Sequence, residues 1–397
     1  MTHSGRPVAP LVVVLGLMLG PAVALGLARF AYALILPAMR TALGWSFATA
    51  GAMNTANALG YLIGAPLAGA LAKRLGERRI FVAGMAVTAL ALLASGASAD
   101  TLVLLVIRAV AGAGGAVCFV VGAGLAAQAG RHLPHGRAAM LLGVYFAGGG
   151  TGIVLSGLAV PPVLAWGGWR AAWLVLGVLS LVGLAGAVPA ARAVPAIVER
   201  ADSPEHERPS WWRLSALLGC YGLFGAGYIA YMTFIVAALT AGHATSGEIT
   251  AFWTVLGVTS VGAAFGWGPL LGAWRSGTGI AVILAILTVG AVLPVMAINA
   301  VTIAASALLF GTTFLSVVTA VTAAARRVLP PGQWTSAIAT LTVAFALGQC
   351  AGPVLSGALA DRPTGVRAGL ALGAALLALG SAVALAHNRL AREIPAR

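Results

Sequence analysis

Two arginines in this sequence stand where a fixed positive charge is expensive to keep. Arg29 lies in the run Gly26-Leu27-Ala28-Arg29-Phe30-Ala31-Tyr32, within an apolar stretch that extends from Pro10 to Met39. Arg108 opens a second run, Arg108-Ala109-Val110-Ala111-Gly112-Ala113-Gly114, in another apolar stretch. A guanidinium stays protonated at any ordinary pH, so each must face protein, water or a ligand instead of lipid. The chemistry on offer is anion binding, because a guanidinium fork matches a carboxylate and two of them can grip it together. The structural alternative is an arginine bonded to neighbouring carbonyls, or one whose head reaches back to the interface.

Helical spacing sorts the other polar and aromatic candidates onto faces. Arg29 and Tyr32 are three apart and share a face, as do Asn54, Asn57 and Tyr61. Tyr221, Phe224, Tyr228 and Tyr231 fall at i, i+3, i+7 and i+10, one aromatic stripe with phenol donors; Thr312, Ser316 and Thr319 follow at i, i+4 and i+7, and Gln349 stands in a later apolar run. Such a stripe serves either as a binding wall or as core packing. Threonine and serine in an apolar helix also bond their own backbone.

Other chemistries lack their residues. All nine acidic residues (Glu77, Asp100, Glu199, Asp202, Glu205, Glu207, Glu248, Asp361 and Glu393) and all six histidines fall between apolar runs or at their ends. No buried carboxylate is expected that would hold a cation or relay a proton, which argues against efflux of cationic drugs. Cys118, Cys220 and Cys350 sit singly inside apolar runs, without a CxxC pair or a Cys/His cluster, so neither a disulfide framework nor a metal site is expected. Glycine runs such as Gly148-Gly149-Gly150 lie within an apolar helix and not between a strand and a helix, so they do not form a phosphate-cradling loop. The expectation is a protein that is not an enzyme and uses no cofactor.

The elements that must position these residues are membrane spans. Of 397 residues 60 % are hydrophobic and 8 % charged, which excludes a soluble globule. Runs of about 20 apolar residues, the length that crosses a bilayer, divide the chain into twelve spans: 11–38, 47–71, 80–98, 101–126, 138–162, 171–189, 215–239, 250–273, 280–298, 301–325, 336–360 and 366–386. Pro294 is expected to kink the ninth. The first run is too long for a signal-peptide core and reads as an uncleaved span. The formal charge of +14 sits in short connections where it sets topology, with no aromatic-interleaved basic patch for nucleic acid. Seventeen lysines and arginines fall on the face bearing the termini, and four (Arg40, Arg170, Arg362 and Arg367) on the other. Basic residues concentrate in cytoplasmic loops, so both termini are expected in the cytoplasm and the protein in the inner membrane.

One long polar connection, about 190–214, separates two groups of six spans, giving bundles at 1–189 and 215–397. The halves echo each other. Pro66-Leu67-Ala68-Gly69-Ala70 returns as Pro269-Leu270-Leu271-Gly272-Ala273, and Val154-Leu155-Ser156-Gly157 as Val354-Leu355-Ser356-Gly357, at offsets of 203 and 200 residues. Nearly equal offsets that superpose span two on eight and five on eleven point to a duplicated six-helix unit. Depth brings the arginines together: Arg29 lies nine residues before the end of its span and Arg108 seven after the start of its own. At 1.5 Å per residue, both are roughly 10–14 Å below the same surface. They form a paired cationic site if both face the cavity; otherwise Arg108 is structural.

The chain resembles the major facilitator superfamily over essentially its whole length. The loop Gly69-Ala70-Leu71-Ala72-Lys73-Arg74-Leu75-Gly76-Glu77-Arg78-Arg79 is similar to the superfamily's signature loop, the Arg108 run to its fourth-helix motif, and the glycine-rich runs 148–157 and 352–357 to the motif that lets helices of the two halves approach. Lys73 stands where the signature loop carries aspartate, which removes the usual closing latch unless Glu77 replaces it; otherwise the loop only enforces topology. Arg29-Phe30-Ala31-Tyr32 through Leu36-Pro37, and Tyr221 to Ile229, resemble the YbfB/YjiJ-type branch. The resemblance implies twelve helices in two pseudo-symmetric six-helix bundles, a cavity lined by helices one, four, seven and ten, and gating roles for Gly69, Lys73, Arg74, Gly76, Glu77, Gly112, Gly157 and Gly357.

The expected function is secondary transport of a small organic anion, of the monocarboxylate kind, by a monomer in the bilayer, with a proton or an exchanged anion as the coupled species. An exporter of neutral amphipathic compounds, using the aromatic stripe as its wall, is the alternative. A membrane sensor or lipid flippase is a third reading.

Overall fold

The computed structural model describes residues 9–194, 211–273, 276–330 and 333–392. The acidic residues expected in the central connection, together with Arg6, Arg200, Arg208, Arg275, Glu393 and Arg397, lie outside the described residues. The described chain is all-α, with eleven continuous helices long and apolar enough to cross a membrane. One of them, His135–Ala193, has 59 residues. As a single rod it would measure about 88 Å, nearly three bilayer cores. Its backbone leaves the helical region at Gly168 (φ 65°, ψ −168°), a left-handed turn that glycine adopts without a Cβ clash, so it serves as two passes.

We number the passes α1 (Pro10–Leu43), α2 (Phe47–Leu75), α3 (Glu77–Ala97), α4 (Thr101–Ala129), α5 (135–167), α6 (169–193), α7 (Trp211–Ala241), α8 (Ser246–Ala273), α9 (Ser276–Met296), α10 (Ala300–Val328), α11 (Trp334–Ala360) and α12 (Val366–Arg392). The helices overrun the twelve expected spans because capping residues, not apolarity, stop them. Ser46 Oγ accepts from Thr49 N at 3.0 Å before α2, Asp100 Oδ1 from Val103 N at 2.8 Å before α4, and Asn299 and Thr302 form a reciprocal box before α10. Gly44, Gly76 and Gly365 take positive φ at the turns. Pro294 lies two residues before the end of α9.

Within the first half α2 packs on α4, α3 on α4, and α1 and α3 on α5–α6; within the second, α7 packs on α11 and α12, and α8 and α9 on α10. Close approaches repeat at a fixed offset. A Cβ on Gly148 would stand 2.1 Å from Met18 O and one on Gly152 2.3 Å from Ala22 O; their counterparts are Gly348, 2.0 Å from Gly222 O, and Gly352, 2.3 Å from Ala226 O. Glycine therefore lets α5 press on α1 as α11 presses on α7, close packing being a main source of helix association in lipid. The two halves meet along α2–α11 and α5–α8, seams that correspond when span two is matched to eight and five to eleven.

Candidate functional site

The site starts from an irregularity in α1. Residues Ala22–Phe30 leave the i→i+4 ladder for i→i+5 bonding, as in Ala31 N to Gly26 O at 3.0 Å. Pro21, which has no N–H to give, stands immediately before this stretch. Gly26 presses its backbone onto Gly152, where a Cβ would fall 2.3 Å from Gly152 Cα. Such widened turns re-aim side chains and frequently mark functional positions. Here the last turn of the stretch carries Arg29.

Arg29 is 3 % exposed, and its guanidinium has no hydrogen-bond partner among the described residues. Its Cζ lies 5.6 Å from the centroid of the Tyr61 ring on α2. Phe30, the next residue, meets Phe314 of α10 edge-on at 5.8 Å, so this turn of α1 stands against the second half.

Arg108 is equally buried and is held. Its Nη1 donates to Ala28 O at 2.6 Å, its Nη2 to Asn54 Oδ1 at 3.4 Å, and its Cζ lies 5.2 Å from the Tyr32 ring and 5.3 Å from the Trp173 ring; only its Nε lacks a partner. Asn57 Nδ2 donates to Arg108 O at 3.2 Å, and Tyr32 Oη to Ala50 O at 2.8 Å. Arg108 thus grips the carbonyl next to Arg29, in an aromatic sleeve, while Asn54 passes its other bond across the seam to Thr233 Oγ1 at 2.7 Å. Arg108, Tyr32, Asn54 and Asn57 together form a scaffold under Arg29 rather than a second open cation.

The stripe on α7 divides. Tyr221, Phe224 and Tyr228 stack with Phe345 of α11, at centroid distances of 4.6, 5.6 and 5.7 Å, and Tyr228 lies 6.2 Å from Phe314 of α10. Tyr231 turns away: it stacks on Phe310 at 3.9 Å, and its hydroxyl pairs with Ser306 Oγ at 2.5 Å within the second half. Gln349 donates through Nε2 to Tyr228 Oη and leaves its Oε1 buried without a partner. Thr312 and Ser316 bond backbone carbonyls of α10. Between them the ladder breaks, because Trp267 Nε1 takes Thr312 O at 2.6 Å, a carbonyl that would otherwise accept from Ser316 N.

Sequence reasoning passed over Phe345, Phe314 and Thr233. Phe345 lies four residues before Gln349 and was visible as its helical neighbour. Phe314 depends on the break in α10, and Thr233 on the register between the halves; neither leaves a local signal.

The expected gating residues also separate. Gly157 and Gly357 stand at equivalent places in the two seams, where a Cβ would meet the Trp253 ring at 3.0 Å and Phe47 O at 2.4 Å. A Cβ on Gly112 would fall 2.0 Å from Asn57 O, inside the first half. Gly76 ends α2 with φ 89°, but a Cβ on Gly69 would meet nothing within 4 Å. Lys73 and Arg74 are exposed; Glu77 accepts from Gln128 Nε2, and Arg78 donates to Val194 O, all within the first half.

The described hydrogen bonds between the halves lie on the arginine-poor side of the site: Asn54 to Thr233, Thr55 Oγ1 to Cys350 O at 2.7 Å, Trp253 Nε1 to Ser156 Oγ at 3.1 Å, and the amides of Phe47 and Ala48 to Asp361 at 2.7 and 3.0 Å. The less buried members of the site, Tyr61 and Phe345, are on the arginine-rich side of these bonds.

This two-half arrangement around a buried seam agrees with a family match. The family described as "Uncharacterised MFS-type transporter YbfB" matches residues 21–385. The chain belongs to this family of transporters. No curated protein matches it. Among solved structures it is similar to the nucleoside transporter NupG (TM-score 0.74, 11 % identity, covering 97 % of this chain and 100 % of that one). It is also similar to a bacterial homologue of the human lysosomal transporter Spinster, in an inward-facing and occupied conformation (TM-score 0.72, 16 % identity, covering 97 % and 98 %). At these identities the likeness shows the major facilitator fold alone.

Proposed function

We propose that this transporter carries a small organic anion of the monocarboxylate kind, with Arg29 as the cationic anchor and the two halves rocking about it. One observation supports the reading above others: a guanidinium 3 % exposed, between the halves, with no hydrogen-bond partner among the described residues. An uncompensated buried charge is costly. A bound anion would relieve that cost, and relief available only when substrate is present is how a site couples binding to conformation. Arg108 contributes by holding Ala28 O, which fixes the backbone beside the anchor.

The arginine-rich face is the cytoplasmic one in this reading, with both termini inside and the chain in the inner membrane as a monomer. The conformation described is then sealed toward the outside, with Asp361 capping the first amides of α2 across the seam. The acidic residues of the described chain (Glu77, Asp100, Glu248 and Asp361) stand at helix ends. Coupling then proceeds by exchange of anions, or by symport in which the anion itself takes the proton as it leaves Arg29. Proteoliposomes under an imposed pH gradient separate the two: exchange ignores the gradient and symport follows it inward. Proton-driven export of a permanent cation would refute both.

The stacked wall of Tyr221, Phe224, Tyr228 and Phe345 favours a second reading, transport of neutral amphipathic compounds. Uptake by Arg29→Gln decides between them, since a neutral substrate does not need the guanidinium.

A further inference from the structure

Three groups that do not complete each other's bonding meet at the seam. Among the described residues Arg29 lacks a hydrogen-bond partner, Gln349 has one end of its amide unpaired at 1 % exposure, and a stack of rings runs beside both. Tyr228 joins them: it receives Gln349 Nε2, lies 6.2 Å from Phe314, which packs at 5.8 Å on Phe30 beside Arg29, and stacks on Phe224 at 4.8 Å and Phe345 at 5.7 Å with interplanar angles of 19° and 4°. Phe345, and Tyr61 beside Arg29, are only partly buried.

A saturated chain could satisfy Arg29 but would use neither the near-parallel rings nor the spare amide end. Flat rings reward a flat partner through offset stacking. A buried amide end left unpaired costs free energy that a ligand hydroxyl would recover, and a hydroxyl both donates and accepts, so it serves whichever way the amide is turned. Resting on the anion-carrier reading above, we infer that the substrate is a planar aromatic monocarboxylate bearing a ring hydroxyl: carboxylate on Arg29, ring against Phe345 and Tyr228, hydroxyl on Gln349.

The test is binding by thermal shift of the purified full chain to four probes: 4-hydroxybenzoate, benzoate, cyclohexanecarboxylate and 4-hydroxybenzamide. The expected order is 4-hydroxybenzoate tightest, benzoate weaker by about tenfold for the lost hydrogen bond, cyclohexanecarboxylate weaker again, and the amide undetectable. Gln349→Leu should erase the difference between the first two probes. Phe345→Leu should erase that between benzoate and cyclohexanecarboxylate, each variant being judged only if its unliganded melting point stays near wild type. Should both variants misfold, the probe order in the wild type still decides. Equal binding of all three carboxylates would overturn the aromatic assignment while leaving the anion carrier standing. Equal binding of amide and acid would overturn the anion reading itself. Binding of cyclohexanecarboxylate with neither aromatic acid would overturn the aromatic assignment alone.

Discussion

Arg29 and Arg108 are the same residue at nearly the same burial, 3 % and 2 % exposed, and the protein treats them in opposite ways. Arg108 has two hydrogen-bonding nitrogens occupied and two aromatic rings about 5 Å from its Cζ. Arg29 has a tyrosine ring nearby and no hydrogen bond among the described residues. The difference teaches that burial of a charge is not by itself a sign of function; what matters is whether the fold has already satisfied it. A satisfied arginine contributes to architecture, and an unsatisfied one holds free energy that only a ligand can release.

The sharpest way to break the comparison is to remove both charges in turn. Arg29→Gln should reduce transport to background while leaving the unliganded melting point at or above wild type, because an unpaired buried charge is lost. Transport assays and thermal unfolding on one preparation check both halves of that statement. Arg108→Gln should instead destabilise by about 1–3 kcal/mol, since Ala28 O and Asn54 lose their donor. If it leaves stability unchanged, the scaffold assignment fails. Arg29→Lys should fall between wild type and Arg29→Gln in transport, an ammonium replacing the charge but not the planar fork.

The seam offers smaller effects. Gly157→Leu or Gly357→Leu should slow turnover more than it weakens binding, because any Cβ there meets Trp253 or Phe47 at 3.0 Å or less. Weakened binding with normal turnover would count against it. Smallest is Asp361→Asn, which keeps the side-chain shape but loses a charge worth about 0.3–1 kcal/mol at a helix N-terminus. It should shift spin-label distances across the arginine-poor face toward the open form by a few-fold in population; unchanged distances would contradict a sealing role for the Asp361 cap.

Much of the architecture was legible because membrane spans, charge asymmetry and glycine spacing are local or periodic signals. The offset of 200 residues read from Val154 and Val354 reappears in space as Gly148 and Gly152 matching Gly348 and Gly352. The pairing of the two arginines was half legible. Depth put them at one level, but rotation about the helix axis was hidden by the widened turns of Ala22–Phe30, which no simple 3.6-residue wheel reproduces. Spacing alone places Tyr231 in the stripe, and the partner that draws it away, Ser306, lies 75 residues on. Distant partners of this kind set which polar groups are already used, and periodicity carries no information about them.

The central claim is that the free energy held by Arg29 is spent on an anion. It is tested most directly by ligand-induced thermal shift, since binding to the folded state raises apparent stability in proportion to RT ln(1 + [L]/Kd). Wild type and Arg29→Gln should be screened side by side against small carboxylates and their neutral amides. A carboxylate should raise the melting point of the wild type, its amide should not, and neither should move Arg29→Gln, whose unliganded melting point is at or above wild type. A carboxylate that shifts Arg29→Gln as far as it shifts the wild type would contradict the account.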